Sequence, residues 1–552
     1  MEQDFKNLIE KIPNEVSHVT NTLEKGGYEA YLVGGCVRDL LMDREPKDWD
    51  VTTNATPEQI ISLFEKTVYE NTFGTVGVCI PIEFVTRETS SKDVIYDLPA
   101  GRQEQPEYKI IEVTPYRIEA KYSDFRHPDE VKYSDKLEDD LKRRDFTMNA
   151  IAYGPADAKA LAGRHKGQAN GHIVDLYEGV KDIESKTIRT VGNPDDRFME
   201  DALRMLRAVR FACQLDFSVA YETTESILKN AELIKKISSE RIHDELVKIL
   251  TSKNLASGIL MLQKLKLLKN IIPELEEGIG CEQSGEHFYD VWNHALLAGQ
   301  HAANKNWPLE IRLAALFHDI GKPRTRGTRA EDLSGPRFSG SLSQPDHEKS
   351  SVRVPKKKYT FYGHEVVGAR MAKKIMERLK FPRKETELVE KLIRNHMFFS
   401  DTGLITLSAV RRIIKKVGVE NIWLLMDLRE CDRVGMKKKE APYRLRKYFA
   451  MVEEALRDPI SVNQLKIDGE FMMKELGIKP GPRMGWMLHA LLEEVLDAPE
   501  KNTIEHLSEL VRSLNMLGDA ELKTLGERGK EKKEELEEKE VEKLHSKHGV
   551  KK

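Results

Sequence analysis

YLVGGCVRDLLMDREPKDWDVTTNA, residues 31–55, sets the organisation of the chain. Tyr31-Leu32-Val33 reads as a short apolar strand that runs into Gly34 and Gly35, and a helix carrying Arg38 and Asp39 is expected to start there. After a turn at Glu45-Pro46 a second strand is expected over 49–52, with Asp48 and Asp50 flanking Trp49. Residues two apart on a strand share a face, so the two carboxylates project together and repel unless a cation lies between them. Two hard oxygen ligands beside a glycine turn that admits a phosphate suit Mg²⁺ carrying a nucleoside triphosphate. Alone, Asp-x-Asp more often marks an exposed strand end, and Gly-Gly a tight turn. Together, with Arg38 between them, they outweigh that plainer reading.

This arrangement resembles the active-site signature of the DNA polymerase β-like nucleotidyltransferases. Within them it is similar to the class II branch of CCA-adding tRNA nucleotidyltransferases and bacterial poly(A) polymerases. The resemblance implies an α+β chain. A polymerase β-like head, a small mixed sheet with helices, would occupy 1–155, and a helical neck with a nucleotide-selecting helix 156–280. An HD domain would follow over 281–435 and a helical RNA-binding tail over 436–518. The last stretch, 519–552, is nearly all Glu and Lys and reads as a solvated helix or disordered chain.

The chain has 552 residues, room for several cores. Charged residues make up 32% and the formal net charge is −3. That excludes a uniformly basic nucleic-acid coat, so any RNA surface must be a local patch. Five scattered cysteines (Cys36, Cys79, Cys213, Cys281, Cys431) form no C-x-x-C pair. They read as free thiols in a reducing compartment, not as a disulfide frame or a zinc site. The start, MEQDFKNLIEKI, reads as an amphipathic helix without a signal-peptide core, and no apolar run approaches the ~20 residues of a membrane span. A soluble, cytoplasmic protein is expected.

Further strands are expected over 76–84 and 109–114, and a helix over 57–66 opened by Thr56 and Pro57. Glu112 is either an exposed strand residue or a third carboxylate. YSDFRHPDEV, 122–131, reads as a mobile surface loop. It is similar to a loop of CCA-adding enzymes with a Y-x-D-x-R-x-P-like pattern, which favours CCA addition over poly(A) synthesis. In EDDLKRRDFTMNAIAY, 138–153, Asp145 is expected to cap an apolar helix, with Asn149 one turn further on. The resemblance puts Arg144 on the incoming nucleotide and makes this segment, with Asp145 and Asn149, part of the nucleotide site. The inserts 98–109 and 156–171 read as surface loops without assigned function.

In VGNPDDRFMEDALRMLRAVRFACQL, 191–215, apolar residues follow helical spacing while Asp201, Arg204, Arg207 and Arg210 recur every third residue. Taken alone this is a solvated face with pairs worth a few tenths of a kcal/mol. The chemistry allows more. An Asp accepts from the exocyclic amine of cytosine or adenine, and an adjacent Arg donates to N3 of cytosine or N1 of adenine. Guanine and uracil present the opposite pattern and are rejected. The resemblance matches this segment to an E-D-x-x-R motif, which puts Asp201 and Arg204 on the base and Arg207 and Arg210 on the base and triphosphate. The stretches from 216 to about 280, including RIHDELVKIL, read as helical packing.

From 288 to 435 the chain presents His294, His318-Asp319 in LAALFHDIGKP, His364, His396 and Asp432. A lone buried histidine is usually a core residue. The set resembles an HD-domain metal-dependent phosphohydrolase, with His294, His318, Asp319 and Asp432 as ligands of a second divalent metal. Whether hydrolysis is retained stays open. Residues 324–360 read as a long loop, whose Lys356, Lys357 and Lys358 are more simply a solvated run. In the tail, Gly477, Gly481 and Gly485 with Pro480 and Pro482 are expected to form a turn before a helix starting near Met484.

The expected activity is template-independent addition of two CMP and one AMP to the 3′ end of tRNA, from CTP and ATP. Mg²⁺ would be held by Asp48 and Asp50, and the triphosphate by Gly34, Gly35 and Arg38. The alternatives are poly(A) synthesis, addition of CC or A only, or an HD phosphohydrolase whose head only binds RNA.

Overall fold

Ala30–Val33 (β1) is apolar and buried along its whole length, as a central strand covered on both faces must be. The computed structural model describes residues 11–70, 74–81, 108–122, 128–154, 171–283, 288–328, 359–397, 406–434, 443–457 and 462–550. Residues 98–107 and 156–170 of the two inserts, most of 324–360 with Lys356, Lys357 and Lys358, residues 1–10, and 123–127 of the expected loop lie outside these residues, while Tyr108 and Lys109 open a strand. The chain divides into two compact units, Met1–Gln283 with Tyr289–Glu390, and Ser284–Phe288 with Lys391–Lys552.

The first unit begins with the α+β head. Its seven-stranded sheet joins β1 to Asp50–Thr53 (β2), Thr67–Glu70 (β3), Thr75–Pro81 (β4) and Tyr108–Pro115 (β5). A separate hairpin, Arg117–Tyr122 (β6) with Pro128–Tyr133 (β7), follows, and Ile151–Gly154 (β8) and His172–Asp175 (β9) complete the sheet. The order is β3-β4-β5-β2-β1-β8-β9. Only β2 and β5 run parallel, with Asp50 opposite Glu112 and Val51 opposite Val113; β1 lies antiparallel to both β2 and β8. Asn14–Lys25 (α1) and Pro57–Leu63 (α2) supply Val16, Val19, Leu23 and Ile60 to the core beneath. Thr56 and Gln59 close a capping box at the start of α2, as Thr56-Pro57 implied.

Three expectations about the head need correcting. Strand β2 begins at Asp50, so Asp48 stands in a bend before the strand. Period-two alternation therefore does not by itself align the two aspartates. The apolar run after Asp145 is a short turn of helix, Thr147–Asn149, followed by β8, because β-branched and aromatic Ile151 and Tyr153 complete the sheet beside β1. Part of the expected 122–131 loop is strand: β7 pairs with β6.

The neck is helical. Pro194–Glu200 (α3) and Leu203–Leu215 (α4) are separate helices, broken at Asp201, whose backbone is extended (φ −142, ψ 103). Asp201 thus lies off the helix that carries Arg204, Arg207 and Arg210. Ser239–Leu250 (α5) packs on α4. Val291–Asn304 (α6), Leu309–Phe317 (α7) and His364–Arg378 (α8) form the bundle that follows.

The second unit is described within the helices Leu407–Val417 (α9), Ile422–Asp432 (α10), Tyr443–Leu456 (α11), Pro482–Asp497 (α12), Ile504–Asn515 (α13) and Asp519–Lys547 (α14). Leu465, Ile467, Met472, Met487, Leu491, Leu507, Val511 and Leu522 form one core there. The Glu/Lys stretch is helical, as one of its two readings held, and one side of it is packed. A side chain added at Gly529 would stand 2.2 Å from the His489 carbonyl oxygen, and at Gly526 2.6 Å from the Trp486 Cα, so α14 rests directly on the backbone of α12.

Gly485, expected in a turn, is inside α12 with nothing within 4 Å of an added Cβ. Ordinarily Gly→Ala in a helix stabilises by about 1 kcal/mol. Gly485→Ala is expected to do so in urea unfolding. Gly529→Ala is expected to destabilise by about 1–3 kcal/mol, because the clash is with backbone that has no rotamer to give.

Candidate nucleotidyltransferase site

Gly34 has φ +84, a conformation open to glycine at little cost. A side chain there would stand 2.9 Å from Arg144 Nη1 and 3.5 Å from Asp50 Oδ2. The diglycine bend, the β2 aspartate and the arginine of the RRD segment are therefore immediate neighbours, and any ligand at Gly34 meets all three. Arg144 is steadied by Asp140, whose fully buried carboxylate accepts from its Nη2 at 3.0 Å and also pairs with Arg143. Burial raises the pKa of the Asp50 carboxyl; the Arg144 charge lowers it and Asp48 raises it again. Asp48 is exposed and near enough for its charge to be felt. Glu112, exposed and in register with Asp50 across the β2–β5 pair, lies on the same sheet face. This acidic group fits a divalent cation, since two or three hard carboxylates beside a side-chain-free gap lack sufficient positive charge of their own.

A chain of polar contacts runs from this bend to the neck. Arg38 is buried, with its Nη2 3.7 Å from where a Gly35 side chain would begin. It donates to Asp39 and, through Nη1 at 2.8 Å, to the Asn149 side-chain oxygen. Asn149 donates to Asp145 Oδ1 at 3.1 Å, and Arg207 Nε donates to Asp145 Oδ2 at 2.7 Å. Arg210 donates to Glu245 at 3.0 Å. The guanidinium groups of Arg38, Arg207 and Arg210 stand 5.3, 5.4 and 4.1 Å from the ring centre of Phe211. Three cations share one aromatic ring. Burial first, then the neighbouring Arg207 charge, pulls Arg210 down to about 10 despite Glu245. Such a crowded group of cations is prepared to receive an anion.

The side chains of Asp201 and Arg204 have different partners. The Asp201 carboxylate accepts two bonds from Arg241, at 3.2 and 2.7 Å, and one from the Leu203 backbone. Arg204 is buried and donates to Glu200 at 2.5 Å and to the carbonyls of Arg197 and Arg143. Both side chains are thereby held in single orientations. Sequence reasoning missed Arg241, Glu245 and Phe211. Glu245 left a signal: it stands at a stripe position of α5 between Ile242 and Ile249 and is 3% exposed, and a carboxylate there needs a cation.

Asp145 allows a pH test. Burial alone would raise its carboxyl, but the Arg207 charge and the Asn149 hydrogen bond hold it at about 2. A depressed carboxyl adds stability above its unfolded value, and that stability is lost as the pH falls toward the folded one. Asp145→Asn is expected to cost about 2 kcal/mol at pH 7 in urea unfolding, with the gap narrowing to about half by pH 3.

The HD residues of the first unit also converge. His294, His318 and Asp319 offer donor atoms within 4.8 Å of one another. The two histidines meet through their Nε2 atoms at 3.2 Å, and His364 Nε2 is 3.3 Å from Asp319 Oδ1. His318 Nδ1 lies 2.8 Å from the Ala315 carbonyl and His364 Nδ1 2.7 Å from that of Phe361, so each ring turns Nε2 inward. Burial would raise the Asp319 carboxyl, but His318 and Lys322 hold it well below the usual range. Lys322 Nζ sits 2.6 Å away and was not singled out from sequence. Asp432 and His396 belong to the second unit, where Asp432 pairs with Arg429 and His396 Nδ1 faces the Ile393 carbonyl at 2.6 Å.

Residues 30–189 match the family model described as Poly A polymerase head domain. That match spans β1 to β9, the part of the chain that holds the Gly34, Asp50 and Arg144 cluster. Residues 285–436 match the family model described as HD domain. The chain is 41% identical over 256 residues to the CCA-adding enzyme of Ligilactobacillus salivarius, covering 46% of this chain and 54% of that one. With the CCA-adding enzyme of Enterococcus faecalis the identity is 41% over 251 residues, covering 45% and 52%. The chain thus spans about half the length of the curated relatives it matches. A crystal structure of the Bacillus stearothermophilus CCA-adding enzyme in complex with CTP is 23% identical, with a TM-score of 0.48, over 90% of this chain and 96% of that one.

Proposed function

We propose that this protein is a member of the poly(A) polymerase/tRNA nucleotidyltransferase superfamily and adds CMP, CMP and AMP to the 3′ end of tRNA without a template. What supports this above all is the close approach of Gly34, Asp50 and Arg144, joined through Arg38, Asn149 and Asp145 to the arginines of α4. The bend at Gly34 and Gly35 admits the triphosphate, and Arg144 with Arg38 orients it. Asp48 and Asp50 hold a divalent metal, Mg²⁺ in this reading, which when bound supplies charge neutralisation for the attacking hydroxyl and the departing pyrophosphate. Asp201 and Arg204 present an acceptor and a donor to cytosine or adenine, while Arg207 and Arg210 meet the base and phosphates. No covalent intermediate is needed, because positioning and charge carry phosphoryl transfer.

His294, His318 and Asp319 suit a second divalent cation, with phosphoester hydrolysis as its chemistry; Asp432 remains an expectation of the sequence motif. No helix among the described residues is long and apolar enough to cross a membrane. All five cysteines are free and buried, in keeping with work in a reducing cytoplasm.

The deciding experiment incubates the protein with tRNA lacking its last three nucleotides and each labelled triphosphate in turn. CTP should extend the RNA by two nucleotides, and ATP should then add one. A long homopolymer from ATP alone would replace this reading with poly(A) synthesis, and a stop after CC would restrict it.

A further inference from the structure

The ring of Phe211, on α4, is 5% exposed and meets Phe146 of the head edge to face, with centres 5.8 Å apart at 86°. Three guanidinium groups approach the same ring. Arg210 is 4.1 Å from its centre, Arg38 5.3 Å and Arg207 5.4 Å. Arg38 comes from the head, whereas Arg207 and Arg210 belong to α4 itself. Packing alone does not call for an aromatic side chain here, since an aliphatic one of similar volume fills such a space at small cost. What only the ring supplies is the negative face of its quadrupole, which attracts cations most strongly where water is excluded.

Hydrogen bonds fix the three arginines unequally. Arg38 donates to Asp39 from Nε and Nη2, and to Asn149 from Nη1. Arg207 Nε donates to an Asp145 carboxylate oxygen at 2.7 Å, and its Nη2 stands 2.6 Å from the same oxygen. Among the described residues Arg210 has one side-chain hydrogen bond, from Nη1 to Glu245 at 3.0 Å, and its buried Nε has no acceptor. Buried polar atoms without a partner are rare in folded proteins.

One hydrogen bond leaves a guanidinium free to turn about that contact. A second constraint comes from the face of Phe211, which stands closest to the arginine with the fewest bonds. The group is also reachable, because the Arg207 side chain is a third exposed.

We infer that Phe211 is a positioning residue for the incoming nucleoside triphosphate, its ring face holding Arg210, together with Arg38 and Arg207, in the orientation that receives the nucleotide. This rests on the reading of these arginines above and specifies what sets their direction. Phe211 acts through them and touches no reacting atom.

The test drains charge from the ring while keeping its shape. Phenylalanine bearing one, two or three ring fluorines is placed at position 211 of the full-length protein by nonsense suppression, and equilibrium binding of labelled CTP is measured with Mg²⁺ and without RNA. The dissociation constant should climb with each fluorine, by at least about fivefold for three. Phe211→Met should weaken CTP binding at least about tenfold and raise the KM for CTP and ATP, with kcat within about threefold, as when an interaction common to ground and transition states is lost. Phe217→Met is the packing control. That ring is equally buried, at 5%, with no cation over it among the described residues, and CTP affinity should hold.

A flat fluorine series overturns the inference, and so does an equal loss in Phe217→Met, which would reduce Phe211 to packing. A flat series in a protein that completes CCA would leave the proposed function standing without this role. A graded loss in a protein that adds no nucleotide to tRNA would keep the role and refute CCA addition.

Discussion

Replacing Asp48 and Asp50 together by alanine is expected to lower nucleotide addition at least about a thousandfold, with tRNA affinity and thermal stability held. In the proposed reading the two carboxylates hold the metal, Asp50 Oδ2 standing 3.5 Å from where a Gly34 side chain would begin, and phosphoryl transfer leaves the protein little to do besides place and neutralise charge. The stability half has its own cause. Burial and the Asp48 charge both raise the Asp50 carboxyl, so its ionised form burdens the folded head. Removing it relieves desolvation and repulsion, so the melting temperature should stay level or rise, as is common at functional sites. Single-turnover incorporation of labelled CMP and a melting curve on the same preparation measure both parts. If the double variant still adds C at a comparable rate, the carboxylates are not the metal ligands.

Asp201→Ala or Arg204→Ala is expected to reduce the preference for CTP over UTP, in kcat/KM, by about a hundredfold or more. A site built from fixed donors and acceptors rejects the wrong base because its own polar groups are left unpaired. Both side chains meet the requirement of being held: Asp201 by two bonds from Arg241, Arg204 by Glu200 and two carbonyls. Arg204→Lys should not rescue selection, since an ammonium cannot reproduce the planar fork. Steady-state kinetics with all four triphosphates gives the answer. Unchanged selectivity with a merely slower rate would remove these residues from base reading.

Much of the head was legible. Strand β1, the Gly34-Gly35 bend, the helix capped at Thr56 and strands β4 and β5 follow from apolar runs and local turn chemistry, which act within a few residues. The misreadings lie where tertiary partners override local preference. Ile151–Gly154 looked like the continuation of a helix, yet the open edge of β1 recruits it as a strand. Asp201 has the spacing of a helical row, yet its carboxylate turns to Arg241, forty residues away, and the helix breaks there. Glu245 and Phe211 looked like ordinary packing positions because their partners, Arg207 and Arg210 on α4 and Arg38 in the head, are invisible to periodicity.

The sequence by itself determined the candidate residues of the proposed chemistry: two acids flanking Trp49 after a diglycine turn, an Asp–Arg row and an HD pair are short-range patterns readable from residue type and spacing. Only the tertiary structure decided how these patterns meet. It set Gly34 against Asp50 and Arg144, threaded Asp145 between head and neck, and laid Gly529 on the backbone of α12. The reason is physical: covalent neighbours dictate dihedrals and periodicity, whereas the partner of a buried charge is chosen by the desolvation that folding imposes on residues far apart in the chain.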